Sequence, residues 1–84
     1  MGEKMLTTPC VKYVQTLLSA IYKEIEFTWD RGAQALTART GKAEASLTGP
    51  EIAFRATRPV EAAELLSRRL DAAIVESFKK EAGR

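Results

Sequence analysis

"AQALTART", residues 33–40, is the stretch on which the fold turns. Its three alanines favour a helix, with Asp30 available as a cap before it and Gly41 as a terminator after it. Thr37 and Thr40 argue the other way, because β-branched side chains suit a pleated surface. The "TGK" that follows also resembles a hairpin turn. We read the segment as a strand, which makes the middle of the chain a sheet.

The flanking segments extend this reading. "EIEFTWD" (24–30) alternates, with Ile25, Phe27 and Trp29 set against Glu26, Thr28 and Asp30, the pattern of a strand with one buried face. "DRG" breaks it. "KAEASL" (42–47) alternates small apolar with polar residues, and "TGP" (48–50) turns the chain. "EIAFRAT" (51–57) alternates again and is expected as a further strand, with Ile52, Phe54 and Ala56 facing inward. From about Arg58 to Glu81 the chain reads as a long helix. Pro59 sits in its first turn, and Glu64–Arg68 and Glu76–Lys80 form ion pairs four residues apart. Upstream, "TTPC" (7–10) marks a helix start, Thr8 capping and Pro9 in the first position. Val11, Val14, Leu17, Leu18, Ile21 and Ile25 then recur at helical spacing on one side. Residues 1–7 are expected as a loose segment or a short strand at "KMLT".

The expected architecture is therefore α+β. An N-terminal helix, a three- or four-stranded antiparallel sheet and a long C-terminal helix form one domain over 1–84, with the helices on one face of the sheet. Eighty-four residues bury a small core, and the single cysteine, Cys10, has no internal partner. A small domain without staples fits a reducing compartment or an assembly that supplies extra buried area. No apolar run is long enough to span a membrane and no leader pattern precedes the fold, so the expected location is the cytoplasm.

The chain has no histidine, which removes the usual general base near neutral pH and the commonest transition-metal ligand. Glu24 and Glu26 would share a strand face, where solvated carboxylates are ordinary. Cys10 lies near a helix start but on the edge of the apolar arc, where an inert buried thiol is expected. The glycines match no phosphate-binding spacing and are accounted for as turns. We therefore expect no catalytic residues, cofactor, metal or small-molecule substrate, and no enzyme.

Two surfaces are candidates for contact, and the first carries the predictive content. In the last helix Val60, Ala63, Leu66, Leu70, Ala73, Ile74 and Phe78 fall in one arc, expected to be the core face. Leu65, Ala72 and Val75 project instead among Glu61, Glu64, Arg68 and Asp71. Either the helix is lodged between two internal elements, or Leu65, Ala72, Val75 and Arg68 contact another chain. The second surface is electrostatic. Residues 31–58 hold five basic residues against two acidic ones, and Arg39, Lys42, Arg55 and Arg58 are the candidate contacts for RNA on an open sheet face.

The C-terminal half, "GKAEASLTGPEIAFRATRPVEAAELLSRRLDAAI" (41–74), resembles the small dimerising subunit of the KEOPS complex, which makes the threonylcarbamoyl modification of tRNA. The shared pattern is two short strands, a polar junction and an Ala/Leu-rich helix with a Ser-Arg patch at 67–70. "PCVKYVQTLLSAIYKE" (9–24) precedes it in the expected order. The resemblance implies a non-catalytic scaffold that homodimerises and docks a catalytic subunit. That family opens with a strand where this chain has "KMLT", and it has a loop where this chain has 24–40. The helix–strands–helix order is also similar to double-stranded RNA-binding domains and to the Alu-binding subunits of the signal recognition particle. The lysine-rich grip of the former is replaced here by "TRPVEAAE" (57–64). The expected role is a dimerising or scaffolding subunit of a larger assembly that handles RNA. The alternative is a small RNA-binding module.

Overall fold

The structure, a computed structural model, describes the backbone of residues 2–82 and the side chains of residues 9–80. Its elements are α1 (Gly2–Ile21), β1 (Glu26–Asp30), β2 (Ala35–Thr40), β3 (Ala43–Leu47), α2 (Gly49–Phe54) and α3 (Pro59–Ala82). The three strands form one antiparallel sheet in the order β1-β2-β3. An α+β fold with a helix at each end is therefore what the chain adopts, and residues 35–40 are strand.

Alternation explains the sheet. Register pairs Trp29 with Leu36 and Phe27 with Ala38, and β3 brings Leu47 and Ala45 opposite the same two β2 residues. All six side chains share the inner face, where Leu36, Ala38 and Leu47 are buried and Phe27, Trp29 and Ala45 pack against them. The outer face carries the other set, Glu26, Thr28, Asp30, Arg39, Glu44 and Ser46. Asp30 closes the β1–β2 turn by accepting hydrogen bonds from the backbone N–H groups of Gly32 (2.9 Å) and Ala33 (3.1 Å), so it organises a turn and caps no helix. Gly41 has a φ of 60° in the two-residue β2–β3 connection, as the first position of a type II′ hairpin requires.

Two expectations are corrected. Residues 51–57 are not a strand. Thr48 caps a short helix, accepting from the Glu51 N–H (3.3 Å) while the Glu51 carboxylate accepts from the Thr48 N–H (2.9 Å). This reciprocal box satisfies two donors and starts a helix, with Pro50 in the first turn where it loses no bond. Only Ile52 of the expected inward trio is buried; Phe54 is 68% exposed. At the N-terminus, α1 begins at Gly2, ahead of Thr8, and takes in the "KMLT" segment, with Pro9 inside the helix. Pro9 has no N–H for the carbonyl four residues back, so α1 passes it with one backbone bond fewer. Of the three or four strands expected, the sheet has three among the described residues.

The core forms where α1, α2 and α3 meet the inner sheet face: Val14 and Leu18 from α1, Ile52 from α2, and Leu66 and Leu70 from α3 are all nearly inaccessible. At the usual 1.5 Å per residue, the 24 residues of α3 run about 36 Å, roughly twice the length of a five-residue strand. Its distal half runs back along β3 toward the β2–β3 turn, and open clefts separate Glu76, Ser77 and Lys80 of the helix from residues 42–44.

Candidate interaction surface on the last helix

Both flanks of α3 are tied down. On the α1 side the Tyr22 hydroxyl donates to Asp71 Oδ1 (2.6 Å) and lies 3.1 Å from Ser67 Oγ. Burial and the neighbouring Asp71 carboxylate both push that hydroxyl's pKa up. On the other flank Arg69 donates to the Ser46 carbonyl (2.9 Å) and to Glu51 Oε1 (2.7 Å), and its second terminal nitrogen pairs with Glu51 Oε2. One guanidinium thus joins the end of β3, the cap of α2 and the middle of α3. The Arg69 hydrogen bonds, backed by that from the Thr48 N–H, hold the Glu51 carboxylate down to about 2. It also occupies an edge carbonyl of β3 that a further strand would need.

With both flanks engaged, what remains of α3 is its outer stripe and its distal end. Of the four residues expected there, Arg68 and Ala72 are exposed and Val75 is 51% exposed. Leu65 is not part of that surface. It is partly buried and packs against the core, because it lies next to Leu66 on the flank that faces β3 and α2. Conversely, two residues expected in the core are outside: Phe78 is 65% exposed and Val60 is 49% exposed. Phe78 shares its arc with Ile74, but it sits one turn beyond, beside the β2–β3 turn. There it lines an open cleft with Gly41, Lys42 and Ser77. The distal helix thus presents Ala72, Val75 and Phe78 on one continuous exposed strip. The apolar period made these residues visible, but whether they are covered depends on what packs against each turn of the helix.

The candidate cations fall in three places. Arg39 lies on the outer sheet face, paired with Glu26 at 3.3 Å and opposite Glu44. That face therefore presents Glu26, Asp30 and Glu44 against one arginine. Lys42 is in the β2–β3 turn. Arg55 and Arg58 sit at the α2–α3 junction over the exposed Phe54 ring, 5.4 and 4.9 Å from its centre. Arg58 also reaches Glu61 at 3.4 Å. The aromatic partner was missed because Phe54 was placed on the inner face of a strand.

The sites of chemistry that the sequence discounted have these surroundings. Cys10 is buried, its Sγ 3.6 Å from the Arg55 carbonyl, and burial pushes its thiol pKa up. Glu24 and Glu26 are exposed. Trp29 is half-buried against the core. Among the described residues, no group of three or more His, Cys, Asp and Glu could hold a metal ion, and no helix is long and apolar enough to cross a membrane. An open cleft of about 840 Å³ lies between the distal part of α3 and the start of β3, lined by Lys42, Glu44, Glu76 and Lys80. No family model, curated protein or solved structure matches this chain.

Proposed function

We propose that this chain is a non-enzymatic association domain, a scaffolding subunit that docks on another protein surface through the outer, distal face of α3. One observation carries the reading. Val75 and Phe78, 51% and 65% exposed, stand next to Ala72 on the outward side of a helix whose two flanks are already bonded within the protomer. A small domain gains little by leaving such residues in water, and burial of apolar area is the main favourable term in association. The KEOPS resemblance implies the same scaffold role, with the departure that the second of the two short strands carrying it is the helix α2; placing the chain in a tRNA-modification assembly belongs to the same proposal.

Backbone amide NMR during a concentration series, or during titration with a captured partner, tests it. Shifts and line broadening should centre on residues 71–79. Changes centred on the outer sheet face, with 71–79 unmoved, would overturn the reading.

A second reading is favoured by the Phe54 cluster, where an exposed ring flanked by two guanidinium groups offers a base-stacking platform beside phosphate donors. Under it, RNA affinity should fall steeply with added salt, and Arg58→Ala should weaken binding and flatten that salt dependence. No binding in low salt would remove it.

A further inference from the structure

We infer that the occupant of the distal face of α3 is a second copy of this chain, paired helix to helix in an antiparallel two-fold arrangement centred on Val75. The inference rests on the association reading above and adds the partner and its geometry.

The argument comes from how the exposed residues are spaced about Val75. Three residues before it stands Ala72, and three after it Phe78; four before it stands Asp71, and four after it Lys79. At 100° per residue these five lie within about 120° of helix surface, so one partner helix can meet them together. All five are exposed. In an antiparallel pair related by a two-fold axis through Val75, residues at equal offsets on opposite sides of the axis face each other. Val75 then meets its own copy. The Phe78 ring lies over the small Ala72 of the partner, and the Asp71 carboxylate faces the partner's Lys79, each contact occurring twice. Large meets small, acid meets base, and the three exposed apolar residues are covered in one contact.

Neighbouring arrangements do worse on the same residues. A parallel pairing sets Asp71 against Asp71 and Lys79 against Lys79. Moving the axis one residue-triplet back, to Ala72, puts Val75 opposite Arg69, which is engaged with Glu51 and Ser46. It also sets Phe78 opposite position 66, which faces the core. Asp71 keeps a free oxygen for such a pair, since the bond from Tyr22 falls on Oδ1. A single-helix contact of this length lies at the small end of specific interfaces, so the dimer should be weak and concentration-dependent.

The test uses the full chain. Two helices packed at about 8–10 Å bring side chains on the axis within disulfide reach. Val75→Cys should therefore cross-link to itself under mild oxidation, against a low background from the buried Cys10, while Glu64→Cys on the same outer stripe should not. Asp71→Lys and Lys79→Asp should each weaken association by roughly two- to thirtyfold, since every change counts twice in a two-fold interface. The double exchange should return it to within about twofold of the starting value. Circular dichroism checks that each variant folds. Efficient cross-linking with rescue by the double exchange supports the inference. A dimer that neither cross-links through position 75 nor regains affinity in the double exchange overturns it. A chain that stays monomeric at several hundred micromolar also overturns it. In that case, loss of a captured protein partner on Phe78→Glu would leave the association reading standing, and indifference to Phe78→Glu would remove both.

Discussion

Replacing Glu51 with Gln keeps the shape of the junction between α2, β3 and α3 but removes its charge. A glutamine oxygen can still accept from the Thr48 N–H and from one Arg69 nitrogen, so the change isolates the ionic part of the contact. Held at about 2 instead of 4.5, the carboxylate would contribute at most about 3.4 kcal/mol at 1.36 kcal/mol per pKa unit. Side-chain exposures of 25% for Glu51 and 39% for Arg69 let water screen the pair, which brings the expected loss to about 1–2 kcal/mol. For a chain of this length that is a fall in Tm of roughly 5–15 °C. The pH dependence gives a sharper readout. Because the folded pKa lies below the unfolded one, the stabilisation is fully present above pH 4.5 and is lost as the pH falls from there through about 2. Thermal melts of the two proteins should therefore differ at pH 7 and converge between pH 4.5 and 2. Equal melts at pH 7, or a difference that persists unchanged at pH 2.5, would refute the reasoning.

Other substitutions test the remaining joints. Gly49→Ala, which in an ordinary helix stabilises, should destabilise here by about 1–3 kcal/mol, because the new Cβ would lie 2.6 Å from the Ala33 carbonyl oxygen. A variant melting at or above the parent temperature would show that the α2 start has more room than this. Tyr22→Phe should lose about 1 kcal/mol in urea denaturation, through the bonds to Asp71 and Ser67. An unchanged midpoint would mean that α1 is held to α3 by packing alone. Leu36→Ala, at the centre of the inner sheet face, should cost about 2–5 kcal/mol. A loss under 1 kcal/mol would place the core elsewhere.

The sheet was legible because each strand repeats with period two and ends at a turn former, so that even the alanine-rich 33–40 resolved as a strand once Thr37 and Thr40 were weighed. The α2 helix was not. Six residues are too few to display a helical period, and Ile52, Phe54 and Ala56 imitate alternation. The signal that decides it was nonetheless present, in Thr48 and Glu51 three apart with Pro50 between them. For the candidate surface, the period along α3 singled out Ala72 and Val75, while Phe78 looked like core and Leu65 like surface. Both errors have one cause. A helical wheel gives direction around the axis, but coverage depends on what packs against each turn: the core covers Leu65, while the open cleft beside the β2–β3 turn leaves Phe78 exposed. The Glu51–Arg69 contact spans 18 residues and depends on α2 being a helix, so nothing local announced it.

The central claim is that the exposed distal end of α3 is finished by a second copy of this chain, and sedimentation equilibrium of the unmodified chain beside Phe78→Glu tests it most directly. The account predicts a mass that climbs toward twice the monomer as concentration rises, and a variant that stays monomeric over the same range with its helical signal intact. Identical curves for the two proteins, whether both monomeric or both associated, would contradict it.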